Sequence, residues 1–254
     1  MVEIVNPDGR FPCLLVCDHA TAAVPREFGN LGLSLNLEAQ HIAVDIGIAP
    51  VVRAMSRLLD APAVLATQSR LCIDTNRWIA DPESIPEVSD GTTIPGNLNL
   101  SADDRQVRQD QSFWPFHIAV AKAFAALTMR HKSPSFLAVH SCTRALSRGP
   151  TRCMDGGTIW HENGHFARLL ADGLMSNSDL VIADNQPYSG FGGAAFTIDY
   201  HTWGTGIDAC GFEIVNDLIA TEAGQLKWAT SLASALQSVM GLSHHKSPLT
   251  PLIV

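Results

Sequence analysis

Three short apolar runs in this chain end in, or carry near their ends, groups that can bind a metal or a proton. FPCLLVC runs into Asp18-His19, SFLAV runs into His140-Ser141, and ACGFEIV contains Glu213. Such runs are too short for core helices and suit buried strands. In open α/β sheets, ligands bind at the carboxyl ends of the strands. Strand ends that bring His, His and a carboxylate to one edge supply what a mononuclear hydrolytic metal site needs, because zinc takes imidazole and carboxylate ligands and keeps one position open for water. A separate carboxylate then accepts the proton of that water. No HExxH or other compact ligand pair is present, so the spacing alone leaves structural histidines as the competing reading.

Between these strands the pattern turns helical. Residues 36–59 place Ile42, Ile46, Val52, Met55 and Leu59 near one face, which predicts a helix. Strands are expected at 61–67, 157–160, 180–183, 195–198 and 209–215, and helices at 165–175 and 218–240. Ser101 and Asp104 form a capping-box pattern that opens a helix to about residue 130. Residues 84–100 are rich in Pro, Gly, Ser, Thr and Asn and read as a long loop. For the tail, residues 243–254, an ordered arm and a frayed end both remain open. Strands alternating with helices predict a three-layer α/β fold, with a mixed, mostly parallel sheet and helices on both faces. With no repeat or linker, residues 1–254 read as a single domain.

Composition narrows the function. The 254 residues are 46% hydrophobic, enough for a large core, and the net charge is -8. That acidity argues against nucleic acid and anionic membranes as partners and leaves a small molecule. There is no uncharged apolar stretch of membrane-spanning length, and the first ten residues do not resemble a secretory signal. Six cysteines without a CxxC pair are expected to be free thiols in a reducing cytoplasm. Cys13 and Cys17 share a strand face but lie too far apart to bond. A GxSxG elbow, a phosphate-binding loop and a GxGxxG turn are all missing. A phosphoesterase is disfavoured for want of an Asp-rich ligand set.

Three further groups bear on chemistry. His41 and Asp45 stand four apart on the expected helix. They read either as a plain His–Asp pair or as a metal carboxylate with a neighbouring ligand orienter or substrate contact. Arg70, Asn76 and Arg77 surround a buried-looking Asp74. They suit a substrate carboxylate, with an Arg70–Asp74 structural pair as the alternative. Asn185 and Tyr188, in the turn DNQPYSG, either face a pocket or satisfy the turn backbone.

The ordered segments CDHATAAVPREFGNLGL, HIAVDIG, SRLCIDTNR, AVHSCT, DNQPYSG and GFEIVNDLI resemble the N-formylglutamate amidohydrolase family over roughly residues 13–220. The resemblance implies a phosphorylase/hydrolase-like, carboxypeptidase-like variety of the fold. It also implies a Zn²⁺-dependent hydrolase domain acting on the N-acyl bond of an acidic amino acid such as N-formyl-L-glutamate, in amino-acid catabolism. His19, His140 and Asp45 would be the metal ligands and Glu213 the group that activates water. His201 is a second catalytic candidate, as a donor to the oxyanion. Asn76 and Arg77 would grip the α-carboxylate and Arg70 the side-chain carboxylate, with His41, Asn185 and Tyr188 as further substrate contacts. Ala22 and Tyr200 stand where relatives often carry Asn and Arg, which bears on specificity. The alternatives are a deacylase or peptidase for another carboxylated N-acyl amino acid, and a non-catalytic carboxylate-binding module.

Overall fold

A computed structural model describes residues 2–34, 36–176, 178–193 and 195–243; the tail beyond residue 243 lies outside the described residues. In chain order the elements are β1 (Val2–Val5), β2 (Cys13–Cys17), α1 (Ile48–Leu59), β3 (Ala63–Ala66), β4 (Val88–Ser89), β5 (Thr92–Thr93), α2 (Ala102–Arg108), α3 (Trp114–Arg130), β6 (Ser135–Cys142), β7 (Gly156–Ile159), α4 (His165–Met175), β8 (Ile182–Ala183), α5 (Phe196–Thr202), β9 (Ala209–Val215) and α6 (Glu222–Ser243). Seven strands form one sheet in the order β1-β3-β2-β6-β9-β7-β8. The inner four run parallel, β1 and β7 join antiparallel, and β8 pairs parallel to β7.

Side-chain alternation splits the strands between two cores. Cys13, Leu15, Cys17, Leu137 and Val139 face α1, α4 and α6. Leu14, Val16, Phe136 and Ala138 face α3 and α5. The result is the three-layer α/β architecture expected from the sequence. The six cysteines are free, five of them buried. None of the described helices is long and apolar enough to cross a membrane.

The connection from β2 runs through α1 to β3 on one side, while β6 lies on the other. The carboxyl ends of β2 and β6 therefore flank the point where strand order reverses, which is where such sheets open a crevice. β6 runs on to Cys142, so His140 and Ser141 belong to the strand. His140 pairs in register with Glu213 of β9. Partners in a parallel pair point to the same face, so the register sets these two side chains side by side.

Several elements depart from the sequence reading. The helix expected over 36–59 begins only at Ile48. Before it, the Asp45 N–H donates to the His19 carbonyl rather than to a helical partner four residues back. Ile42, Ala43 and Val44 instead pack with Leu31, Leu71 and Cys72 in a separate small core. His41 and Asp45 are therefore not neighbours on a helical face. The strand expected at 195–198 is the start of α5; a four-residue apolar run fits either period. The helix opened by the Ser101–Asp104 capping box passes through a π turn at Gln109–Phe113 before α3. Pro115, at the start of α3, brings no N–H to the ladder. The edge strand β1 was not anticipated: it is four residues long, pairs with β3, and is tied to α1 by the Arg53–Glu3 ion pair.

Gly47 caps α1 at φ +82°, and a Cβ there would collide with the Ile219 backbone carbonyl. Gly47→Ala is expected to lower the unfolding free energy by about 2 kcal/mol or more. This would appear as a lower urea midpoint at unchanged slope. A midpoint equal to that of the unsubstituted protein would show that the turn tolerates a side chain.

Candidate active site

The crevice at the strand ends is a cavity of about 350 Å³. Of the residues singled out from sequence, His19, His41, Asp45, Arg70, Asn76, Arg77, His140, Tyr188 and Glu213 line it. They arrive from β6, β9, the loop after β2, the turns before α1, the 69–77 segment and the turn after β8.

At the floor, one donor atom from each of His19, Asp45 and His140 lies within 4.8 Å of the others, and all three residues are buried. His19 Nδ1 is 3.3 Å from Asp45 Oδ1, and His140 Nδ1 is 2.9 Å from Asp45 Oδ2. Donors about 3.3 Å apart are what bonds of about 2.0–2.1 Å at tetrahedral angles require. Asp45 also accepts from the Ser141 N–H at 3.2 Å. The outer nitrogens of both imidazoles meet acids as well. His19 Nε2 is 2.7 Å from Asp74 Oδ1. His140 Nε2 is 3.2 Å from Asp18 Oδ2, off the direction of a hydrogen bond. An acid behind each imidazole is the usual support of metal-binding histidines.

The charges of this cage favour a cation. Burial alone would raise the Asp45 carboxyl, but His19 and His140 outweigh it and hold it far below the usual range. Burial would lower both imidazoles, yet the acids overcome it: Asp74 and Asp45 raise His19, and Asp18 and Asp45 raise His140. A site that holds protons on two buried imidazoles also suits a divalent ion on their neutral forms, so the residues present fit a metal. Glu213 differs. Burial pushes its carboxyl up to about 7, against the opposing pull of His140. Its Oε2 is buried and has no hydrogen-bond partner among the described residues.

Asp18 and Asp74 are the site residues whose roles the sequence reading missed. Asp74 had been noted only as a partner for Arg70. It does make that pair, with Arg70 Nη2 at 2.6 Å and Nε at 3.1 Å from Oδ2. Its other oxygen serves His19. Asp18 accepts from the Thr197 hydroxyl, and the Thr197 N–H donates to Asn76 Oδ1 at 2.9 Å. The first turn of α5 thus fixes both the acid behind His140 and the orientation of the Asn76 amide.

Two expected contacts are not brought to the cavity. Asn185 takes φ +55° and accepts from the N–H groups of Trp160 and Gly190 at 3.0 Å each, so it satisfies the turn rather than a ligand. His201, on α5, stacks 5.9 Å from Phe136 and hydrogen-bonds His117. His41 sits at the rim, with Nε2 3.1 Å from Asp90 Oδ2. Neither Ala22 nor Tyr200 lines the cavity. Ala22 is buried in the small core around Leu31, and Tyr200 stacks on Phe196.

The His117–His201 pair has a defined proton arrangement. His117 Nε2 lies 2.9 Å from the Thr75 carbonyl, which can only accept, so that nitrogen carries the hydrogen. Neutral His117 then accepts at Nδ1 from His201 Nε2 at 3.1 Å. Burial, and then His117, push His201 down to about 4, and burial lowers His117. Both values lie below the ordinary 6.5 of an unfolded histidine, so the unfolded chain binds more protons. The stability these groups contribute above pH 6.5 is lost as pH falls towards 4, by at most about 1.4 kcal/mol per unit for His201. Urea midpoints between pH 7 and pH 5 should fall more steeply for the unsubstituted protein than for His201→Gln. Parallel declines would show that His201 takes up its proton equally well folded and unfolded.

A family model for N-formylglutamate amidohydrolase matches residues 11–220. Gene product Atu2144 from Agrobacterium tumefaciens superposes with a TM-score of 0.89 at 30% identity, over 96% of this chain and 96% of that one. The N-formylglutamate amidohydrolase from Ralstonia eutropha JMP134 superposes with a TM-score of 0.71 at 17% identity, over 96% of this chain and 98% of that one, a likeness of fold. A search of curated protein sequences found no match.

Proposed function

The chain belongs to the N-formylglutamate amidohydrolase family, and on that premise we propose that it is a Zn²⁺-dependent enzyme that cleaves the N-acyl bond of a carboxylated amino acid, with N-formyl-L-glutamate as the reference substrate. One observation carries the reading. Three buried donors converge on the cavity floor, beside a carboxylate with an unpartnered oxygen. His19, Asp45 and His140 would hold the ion, and Asp74 and Asp18 would keep the two imidazoles oriented.

A divalent ion bound there supplies Lewis acidity to the acyl carbonyl and to water. Glu213 accepts the proton of the attacking water and returns it to the leaving nitrogen. A carboxyl poised near 7 suits that double duty. Arg70 is fixed by Asp74, with Nη1 3.5 Å from Asp45 Oδ1. That position suits a donor to the oxygen on which negative charge develops. Asn76 and Arg77 hold the substrate α-carboxylate and so fix the acyl group before attack. His41 and Tyr188 border the remaining volume. His201 is left without a part in this scheme. Five buried, unbonded cysteines suit the reducing cytoplasm, where we place the reaction.

The test is formate release from N-formyl-L-glutamate by purified protein, with the metal content measured on the same sample. About one ion per chain is expected, and removing it with a chelator should abolish turnover. Glu213→Gln should retain the ion while losing about 10²–10⁴-fold in kcat. Full activity in metal-free protein, or in Glu213→Gln, would sink the mechanism.

A further inference from the structure

Arg70 and Arg77 line the cavity, and Arg152 reaches two of its lining residues, Thr143 and Tyr188. Arg70 is already engaged by Asp74 at 2.6 Å and faces Asp45 at 3.5 Å, so its charge is balanced within the protein. Arg77 has only longer approaches, 3.4 Å to Asp81 and 3.6 Å to Asp74. Arg144 is matched by Asp217 at 2.6 Å. Arg152 differs from all three, because no carboxylate lies within ion-pair distance of it among the described residues.

The guanidinium of Arg152 is nevertheless held in place against the cavity wall. Nη1 donates to the Thr143 carbonyl, and Nη2 donates to Tyr188 Oη at 3.0 Å. Its central carbon sits 5.1 Å from the centre of the Tyr188 ring. Thr143 and Tyr188 both line the cavity. Because Tyr188 Oη accepts from Arg152, its own hydrogen remains for another acceptor. Burial raises the Tyr188 hydroxyl above its ordinary value, so it stays a neutral donor. A partly buried, fixed guanidinium without a counter-charge, reaching the wall through a tyrosine hydroxyl, matches the fork-and-donor recognition of a carboxylate.

We propose that Arg152 and Tyr188 form a second carboxylate subsite, which takes the side-chain carboxylate of an N-acyl dicarboxylic amino acid and sets the preference for acidic substrates. The subsite rests on the hydrolase reading for its substrate, and it replaces Arg70 in that role. Arg77 with Asn76 holds one carboxylate, and Arg152 with Tyr188 holds the other.

The experiment compares N-formyl-L-glutamate with N-formyl-L-glutamine, which has nearly the same shape but a neutral side chain. In Arg152→Met the ratio of the two kcat/KM values should fall by about tenfold or more. Tyr188→Phe should lower it by a smaller factor. If Arg152→Met does not melt cooperatively, Arg152→Lys and Arg152→Gln replace it, and the ratio should decrease from Arg through Lys to Gln. Glutarate and butyrate binding to the metal-loaded protein, followed by calorimetry, separates this inference from the hydrolase reading. If the unsubstituted protein releases no formate but its glutarate affinity falls about tenfold in the variant while butyrate affinity does not, the subsite stands and the hydrolase reading fails. A substrate ratio and a glutarate affinity both within twofold of the unsubstituted protein would overturn the subsite.

Discussion

The carboxylate of Asp45 is the tie on which the active region depends. It is 4% exposed, and it meets the ring nitrogens of His19 and His140 and the backbone N–H of Ser141. These partners come from the loop after β2 and from β6, while Asp45 itself comes from the turns before α1. One buried charge therefore joins three parts of the chain that are distant in sequence. A buried carboxylate is tolerable only while its partners are in place, and removing one partner typically costs about 3–5 kcal/mol. The same dependence explains why residues 41–47 are not helical. A helix through Asp45 would turn its N–H back to His41 and away from the His19 carbonyl that it now meets.

Around that tie the charges are layered. Asp74 and Asp18 stand behind the two imidazoles, and Arg70 neutralises Asp74. Removing Asp74 would therefore loosen an imidazole and free a guanidinium together, so its effects cannot be assigned to either partner alone. Thr197 joins the two halves of the cavity by binding Asp18 through its hydroxyl and Asn76 through its N–H. The short helix α5 thus does more than cover the sheet, since its first turn positions both Asp18, behind His140, and the Asn76 amide.

What could be read from the sequence followed the physics of strands. Buried parallel strands announce themselves as continuous apolar runs, so β2, β6 and β9 were legible, and with them His19, His140 and Glu213. Asp45 was legible as a carboxylate set among apolar residues, although its local conformation was not: a 3.6-residue pattern is also produced by turns that bury alternate faces against a second core. Asp18 escaped because a residue next to a candidate ligand reads as its neighbour, and only the sheet brings it against His140. Asn185 and His201 were misplaced for a related reason, since their polar atoms are consumed by backbone and by His117, which no spacing rule reveals. Arg152 carried no sequence signal at all, because the absence of a counter-charge is a property of the folded molecule.

The long segment 82–97 is fastened at its C-terminal end. Asn97 is fully buried, donates to the carbonyls of Leu71 and Pro86, and accepts from Arg108, which also binds the carbonyls of Cys72 and Gly96. The tip beyond this brace, where Asp90 and Gly91 both adopt positive φ, projects to the cavity rim and meets His41 and Ser147. Anchor and tip are thus mechanically separate. A change in the length or sequence of the tip alters the cavity rim while leaving the Asn97–Arg108 brace in place.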